Sequence, residues 1–227
     1  MTDKELFENN GYLIFDTKID ESLLNSVKDT VINPNEDRVQ DAWQENSYVK
    51  EIALHTNIIN KIYEVYDNKP LPFQTLNFMK GTQQKAHSDT IHFNSSPANN
   101  MCGVWVALED IDNDNGPLFY YPGSHKDATY SMQDFNLEPI SENYKEYEKR
   151  LSEQIIKKGY VKRYGTFKKG YGIIWAANLL HGGEPVKDNR RTRYSQVTHY
   201  FFESDLYYTP MLSSVNNLCI RKPNWIL

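Results

Sequence analysis

His87 and Asp89 lie two residues apart in the segment Gln84–Phe93. On a β-strand, residues i and i+2 project from the same face, so the imidazole and the carboxylate would meet at one point. These two groups are two thirds of the 2-His-1-carboxylate facial triad, which holds Fe(II) and leaves coordination positions open. A third ligand must come from a distant strand, and His181, in Asn-Leu-Leu-His-Gly-Gly, is the candidate.

Each histidine, taken alone, is more often structural than catalytic. Asp89 also has a simpler interpretation, as a turn or capping residue. His92 competes with His87, but three residues from Asp89 on a strand it would face the other side. His125 lies in a turn-like Pro-Gly-Ser-His sequence, and His199 lies in an alternating run that predicts a core or cavity-lining position.

Arg193 begins the alternating run Arg-Tyr-Ser-Gln-Val-Thr-His-Tyr-Phe. In this run Arg193, Ser195, Val197 and His199 share one face of a strand. An inward arginine is unfavourable unless an anion pairs with it. A dicarboxylic cosubstrate would supply that anion, because a guanidinium can hold a carboxylate through two hydrogen bonds and Ser195 can add a hydroxyl. The neighbouring Arg190 and Arg191 are interpreted as part of a solvated loop.

Composition sets the class of protein. With 227 residues, 39% of them hydrophobic, the chain is predicted to form one globular domain over residues 1–227. A net charge of −5 without a basic block argues against nucleic-acid binding. Cys102 and Cys219 are the only cysteines, which predicts reduced thiols. The N-terminus lacks signal-peptide features and no apolar run is long enough to span a membrane, so we expect a cytoplasmic protein. We also expect a monomer or homodimer that acts on a small-molecule substrate.

The secondary structure that must position these residues is predicted to change from mainly helical to mainly β after Pro72. Before it, helical spacing and capping residues predict helices within residues 1–70, interrupted by a strand at Tyr12–Phe15 and a surface loop at Asn33–Arg38. After it, short β-branched or aromatic runs between turn sequences predict a jelly-roll core over residues 72–205, with a charged helical insertion at 127–159. The predicted strands are Phe73–Met79, Met101–Leu108, Leu118–Tyr121, Tyr171–Trp175 and Tyr194–Phe202.

In this order the motifs resemble the phytanoyl-CoA dioxygenase family of Fe(II)- and 2-oxoglutarate-dependent oxygenases, over most of residues 5–205. The ordered set is more specific than any one motif. The residues that carry the resemblance are Gln74-Thr-Leu-Asn-Phe-Met, His87-Ser-Asp, Gly103-Val-Trp-Val-Ala-Leu-Glu-Asp, Asn115-Gly-Pro-Leu, Pro122-Gly-Ser-His-Lys, His181-Gly and Arg193-Tyr-Ser.

The resemblance implies a mainly β fold with flanking α-helices around a double-stranded β-helix (jelly-roll, cupin-like) core. It implies that Fe(II), 2-oxoglutarate and O₂ take part in the reaction. It further implies that His87, Asp89 and His181 are iron ligands and that Arg193 pairs with the distal carboxylate of 2-oxoglutarate. The other cosubstrate-pocket candidates it gives are Ser195, Trp105, Gln74, Asn77 and Thr90.

The implied function is hydroxylation of an unactivated C–H bond of a small polar metabolite or biosynthetic intermediate, with release of succinate and CO₂. Related halogenases replace the triad carboxylate, so the presence of Asp89 favours oxygen chemistry. Two alternatives stay open: a non-catalytic jelly-roll protein that binds metal or ligand, and a cupin-like metal-dependent isomerase or hydrolase. Substrate contacts are expected from residues 34–47, 92–100 and 127–159.

Overall fold

The computed structural model describes residues 1–31, 38–127 and 129–227. The α-helices are α1 (Asp3–Asn10), α2 (Glu21–Thr30), α3 (Ser47–Ala53), α4 (Thr56–Tyr66) and α5 (Tyr144–Lys158). The strands are β1 (Tyr12–Asp16), β2 (Arg38–Gln40), β3 (Leu71–Phe78), β4 (Asn94–Ser96), β5 (Met101–Ala107), β6 (Leu118–Tyr120), β7 (Arg163–Gly165), β8 (Tyr171–Ala176), β9 (His181–Gly183), β10 (Ser195–Phe201) and β11 (Leu206–Tyr208).

The N-terminal helices begin and end close to the positions that the sequence predicts. Thr2 and Glu5 form a capping box at the start of α1, and Gly11 ends the helix with φ +79°. The apolar run from Tyr48 to Tyr66, whose spacing predicts a helix or a helix pair, forms two helices, α3 and α4. The predicted surface loop Asn33–Arg38 lies outside the described residues except for Arg38, which is on β2.

A six-stranded antiparallel sheet in the order β1-β8-β5-β10-β3-β2 forms the main layer. Its central strand β5 is buried along its whole length because both faces are covered. Cys102, Val104 and Val106 pack with the N-terminal helices, whereas Trp105 and Ala107 pack on the opposite, inner face. This alternation divides the core into an outer half under the helices and an inner half that faces the second sheet.

The second layer is a three-stranded sheet in the order β7-β6-β9. Leu118 and Tyr120 of β6 pack with the inner residues of the large sheet. Helix α5 covers the opposite side with Tyr147, Leu151 and Ile155, which recur at helical spacing. Two sheets that face each other, flanked by helices, confirm the predicted double-stranded β-helix core.

Gly103, at the middle of β5, allows a close approach that the interior depends on. It pairs with Trp175 of β8 on one side and with His199 of β10 on the other. A Cβ at this position would overlap the indole ring of Trp175. The absence of a side chain at Gly103 therefore lets the Trp175 ring lie across the strand.

Two findings bear on the remaining composition-based predictions. Cys102 is buried, Cys219 is partly exposed, and neither is in a disulfide. Within residues 1–31, 38–127 and 129–227, no helix has both the length and the apolar character that crossing a bilayer requires.

Candidate active site

The local structure around His87 and Asp89 differs from the strand that the spacing predicts. His87 forms an isolated antiparallel bridge with His181, and Asp89 begins a short 3-10 helix that ends at Ile91. The strand premise is therefore wrong, although the two side chains do converge. Their convergence comes from tertiary contacts: the backbone N–H groups of His87 and His181 each donate to the other's carbonyl at 2.9 Å.

The side chains of His87, Asp89 and His181 form one buried cluster. Asp89 Oδ1 lies 3.9 Å from His87 Nε2 and 3.7 Å from His181 Nε2. One ligand atom from each residue lies within 4.8 Å of the other two, which is close enough for a single metal ion to bind all three. Among the described residues, this is the one group of His, Cys, Asp or Glu side chains with that property.

Both imidazoles are held in the tautomer that a metal ligand requires. His87 Nδ1 lies 3.0 Å from the Lys85 carbonyl, and His181 Nδ1 lies 3.0 Å from the Leu179 carbonyl. A carbonyl oxygen can only accept, so each Nδ1 carries the proton and each Nε2 keeps its lone pair. Burial, together with the neighbouring His181 imidazole, lowers the pKa of His87 to about 3 and keeps that ring neutral.

Asp89 offers one carboxylate oxygen to the cluster and uses the other to fix its orientation. Trp175 Nε1 donates to Asp89 Oδ2 at 2.7 Å. Burial alone would raise the pKa of the Asp89 carboxyl, but the neighbouring His181 and His199 imidazoles hold it well below its usual range. The group is therefore an ionised carboxylate whose Oδ1 faces the two histidine nitrogens.

Replacing Trp175 with Phe removes this donor and keeps an aromatic ring in place. We expect the affinity for Mn(II), used as an oxygen-insensitive probe of the triad, to fall about 10- to 100-fold, the loss typical when a residue that orients a metal ligand is removed. Trp43→Phe is the matched control, because Trp43 also donates to a carboxylate, that of Asp41, outside the triad. Equal Mn(II) affinities in both variants would show that Trp175 does not orient Asp89.

A second cluster, built around Arg193, lies in the same cavity. Arg193 is 3% exposed, and its Nη1 donates to Ser195 Oγ at 2.8 Å. Within the part of the chain that the structure describes, its Nε has no hydrogen-bond partner, and neither does the buried Nε1 of Trp105. Burial lowers the pKa of the Arg193 guanidinium to about 10, which leaves it positively charged at neutral pH. Two unpaired buried donors, one of them cationic, suit an anion at this end of the cavity.

The cavity that joins the two clusters has a volume of about 420 Å³. Gln74, Leu76 and Phe78 line it from alternate positions of β3, and His199 and Val197 line it from β10. His199 Nδ1 is hydrogen-bonded to Gln74 Oε1 at 3.1 Å, and its Nε2 lies 3.6 Å from Asp89 Oδ2. Gln74 therefore acts on the triad through His199, which is a cavity-lining residue as its strand position predicts.

Three sequence-derived candidates do not line this cavity: Asn77, Thr90 and Ser195, the last of which acts on it only through the Arg193 guanidinium. Asn77 lies on the opposite face of β3 and donates to Gln196 Oε1 at 3.1 Å. The Thr90 hydroxyl is 2.7 Å from Ser88 Oγ, and Thr90 lines a separate cavity. Strand alternation alone separates Asn77 from Gln74, because positions three apart on a strand face opposite sides.

The cavity also has walls that sequence reasoning missed or only partly located. Arg38 and Gln40 come from the expected 34–47 region, and His92 and Phe93 come from the expected 92–100 region. None of the described residues of 127–159 lines the cavity; Tyr144 approaches it only through its hydroxyl, 3.2 Å from His92 Nε2. Sequence reasoning missed a wall formed by the C-terminal segment: Thr209, Met211, Leu212 and Arg221.

Three buried ligands of the 2-His-1-carboxylate type inside a double-stranded β-helix define a non-haem metal site, and this donor set fits iron. The chain matches the family model of phytanoyl-CoA dioxygenase (PhyH) over residues 16–193. It therefore belongs to the phytanoyl-CoA dioxygenase family, as its motifs predict.

Curated relatives match only part of the chain. Phytanoyl-CoA dioxygenase domain-containing protein 1 of Danio rerio is 42% identical over 48 residues, which are 21% of this chain and 16% of that protein. Across the curated relatives, the aligned part spans between 16% and 29% of the relative's length.

Solved structures with the same fold match nearly the whole chain. EctD from S. alaskensis, with 2-oxoglutarate and 5-hydroxyectoine, gives a TM-score of 0.70 at 16% identity, covering 97% of this chain and 83% of that one. The epimerase SnoN from nogalamycin biosynthesis, in complex with Fe³⁺, α-ketoglutarate and nogalamycin RO, gives 0.68 at 13% identity, covering 98% and 96%. At these identities the likeness shows the fold.

Proposed function

We propose that this protein is an Fe(II)- and 2-oxoglutarate-dependent dioxygenase that hydroxylates an unactivated C–H bond of a small polar metabolite. One oxygen atom of O₂ would enter the C–OH product and the other would enter succinate, with release of CO₂. Membership of the phytanoyl-CoA dioxygenase family and the iron- and 2-oxoglutarate-bound structures of the same fold support this reaction class.

One observation carries the proposal: a single cavity holds both the buried triad and a buried arginine that has no anionic partner among the described residues. His87, Asp89 and His181 would bind the iron, with His87 and His181 acting through Nε2. Arg193 would bind the 5-carboxylate of 2-oxoglutarate, with Ser195 holding the guanidinium in place. Trp105, whose buried Nε1 has no hydrogen-bond partner, would donate to the same cosubstrate.

When bound, Fe(II) and 2-oxoglutarate supply O₂ activation coupled to oxidative decarboxylation. The protein's own contribution is position, charge and exclusion of water. Trp175 fixes the orientation of the Asp89 carboxylate, and the carbonyls of Lys85 and Leu179 fix the two imidazoles. Apolar walls from Leu76, Phe78, Val197 and other residues keep the reacting centre largely dry.

The size of the cavity favours a small substrate. Its 420 Å³ lie near the lower end of the range of about 300 to 1,000 Å³ that is usual for small-molecule pockets, and 2-oxoglutarate would occupy part of it. A coenzyme A thioester would extend far beyond this space. The substrate proposed here is therefore a metabolite that the remaining volume can enclose.

An anaerobic titration tests the cofactor set. We expect that adding Fe(II) and then 2-oxoglutarate to the metal-free protein produces a visible metal-to-ligand charge-transfer band that neither addition produces alone. In air, the same protein should slowly convert 2-oxoglutarate to succinate, and a small-molecule library should contain compounds that accelerate this conversion. A folded, iron-loaded protein that gives no band and forms no succinate would contradict the proposal.

A further inference from the structure

The cavity has a second positively charged region, separate from the one that Arg193 provides. Arg38 of β2 and Arg221 of the C-terminal segment both line it, and neither belongs to the triad or to the cosubstrate cluster. Among the described residues, no carboxylate oxygen lies within 4.0 Å of either guanidinium. Three surface arginines differ: Arg150 pairs with Glu146, Arg190 with Asp188 and Arg191 with Asp112.

Arg221 is held in position, but its hydrogen-bonding capacity is largely unused. Its backbone N–H donates to the Tyr207 carbonyl at 2.8 Å, and its guanidinium lies over the Phe93 ring, 4.6 Å from the centroid. Nη2 makes one long contact, 3.4 Å, with the Thr209 hydroxyl, and none of the described residues bonds the buried Nε. An oriented, half-buried guanidinium with unsatisfied donors matches the geometry of a carboxylate or phosphate.

The charge balance of the loaded site strengthens this argument. With Fe(II) and 2-oxoglutarate bound, the charges of the metal, the cosubstrate, Asp89 and Arg193 cancel. Arg38 and Arg221 then remain as two positive charges on the walls where a substrate would lie, without an ion-pair partner among the described residues. A neutral substrate would leave both guanidinium groups without an anion.

The surrounding walls define the rest of the ligand. Gln40, Gln84 and His92 offer polar groups, whereas Phe93, Met211 and Leu212 offer apolar surface. We propose that the substrate is a small oxyanion, a metabolite whose carboxylate or phosphate group binds Arg221 and Arg38 while its apolar part reaches towards the triad. This inference rests on the proposed function for the meaning of "substrate", but the anion site itself can be tested without turnover.

The test uses paramagnetic relaxation. The protein is loaded with Mn(II) in place of Fe(II) and saturated with 2-oxoglutarate, so that the Arg193 end is filled. The probes are propionate, its neutral analogue propionamide and inorganic phosphate, and the readout is the Mn(II)-induced relaxation of the probe's ¹H or ³¹P nuclei. We expect propionate and phosphate to be relaxed much more strongly than propionamide, and whichever binds more tightly identifies the preferred oxyanion.

Substitutions of Arg221 and Arg38 test where in the cavity the anion binds. Arg221→Gln should weaken binding of the preferred oxyanion about 10- to 100-fold, the loss expected for a charge-assisted hydrogen bond. Arg38→Gln, at the exposed rim, should weaken it about two- to fivefold and keeps the inference testable if Arg221→Gln does not fold. Arg221→Lys should retain part of the binding. Arg190→Gln is the control, because it removes one positive charge outside the cavity and should change nothing.

The outcomes separate this inference from the proposed function. If Mn(II) fails to bind, as judged by water relaxation, the metal site itself is wrong. If Mn(II) and 2-oxoglutarate bind but propionate and phosphate are relaxed no more than propionamide, only the anion site is wrong. Strong relaxation that Arg221→Gln and Arg38→Gln leave unchanged would mean that the anion coordinates the metal directly, which would also overturn the inference.

Discussion

His181→Ala is expected to lose metal binding at the triad and, with it, 2-oxoglutarate-dependent succinate formation. The loss should exceed about a hundredfold, because even removal of a residue that merely orients a ligand costs about 10- to 100-fold. His181 supplies one of only three protein ligands in the cluster. Mn(II) affinity and succinate formation with Fe(II) are the two measurements.

The fold should survive this change. The backbone bridge between His87 and His181 does not depend on the imidazole, so β9 keeps its pairing with β6. The buried ring leaves a cavity next to Trp175, and we expect a loss of about 2 to 4 kcal/mol in the free energy of unfolding. His125→Gln is the control, since His125 bonds the Glu8 carbonyl away from the cavity. A folded His181→Ala protein with normal metal affinity and turnover would show that the triad assignment is wrong.

Arg193→Met should raise the dissociation constant for 2-oxoglutarate by about a hundredfold or more, because one partner of a buried ion pair is removed. Binding of the metal alone should be unchanged, since Arg193 is not a ligand. The charge-transfer band in an anaerobic titration measures the 2-oxoglutarate affinity, and water relaxation by Mn(II) measures binding of the metal alone. Arg191→Gln is the matched control: Arg191 lies two residues away, pairs with Asp112 at the surface and should leave the 2-oxoglutarate affinity unchanged.

Although Arg193→Met should weaken 2-oxoglutarate binding, it should not lower the stability of the protein. In the protein without cosubstrate, Arg193 is a buried charge whose Nε is bonded by none of the described residues. Replacing it with an apolar side chain of similar length should therefore leave the melting temperature unchanged or raise it. A raised melting temperature with lost 2-oxoglutarate affinity would mark Arg193 as a binding residue. A fall in both, or an unchanged affinity, would contradict this role.

Local sequence pattern was sufficient to predict which side chains share a face within the regular strands and helices. The alternation from Arg193 to His199 predicts which side chains share a face, and the structure places Arg193, Val197 and His199 along the cavity. The helix α5 was also predictable, because Tyr147, Leu151 and Ile155 recur at helical spacing in a charged segment. In both cases, the period of the side chains carries the information.

Pattern failed where distant contacts decide the local structure. Asp89 begins a 3-10 helix, and its orientation depends on Trp175, which is distant in sequence. The i, i+2 spacing predicted that the His87 and Asp89 side chains converge, and they do, but the strand on which that prediction rests does not form. The backbone bridge between His87 and His181 takes its place. Arg221 was missed for a related reason: nothing next to it in sequence shows that its segment returns to the cavity.

The two ends of the cavity differ in how they are built. The triad and Arg193 lie on or beside paired strands of the two sheets, whereas Met211, Leu212 and Arg221 lie in a short 3-10 turn and the irregular chain after it, beyond the family match at residues 16–193. Under the proposed function, we therefore expect substitutions in the C-terminal segment to change which molecule is accepted while leaving the iron and cosubstrate end intact. The C-terminal segment is therefore a place where natural selection, or protein engineering, could change the substrate preference of the enzyme without changing its reaction.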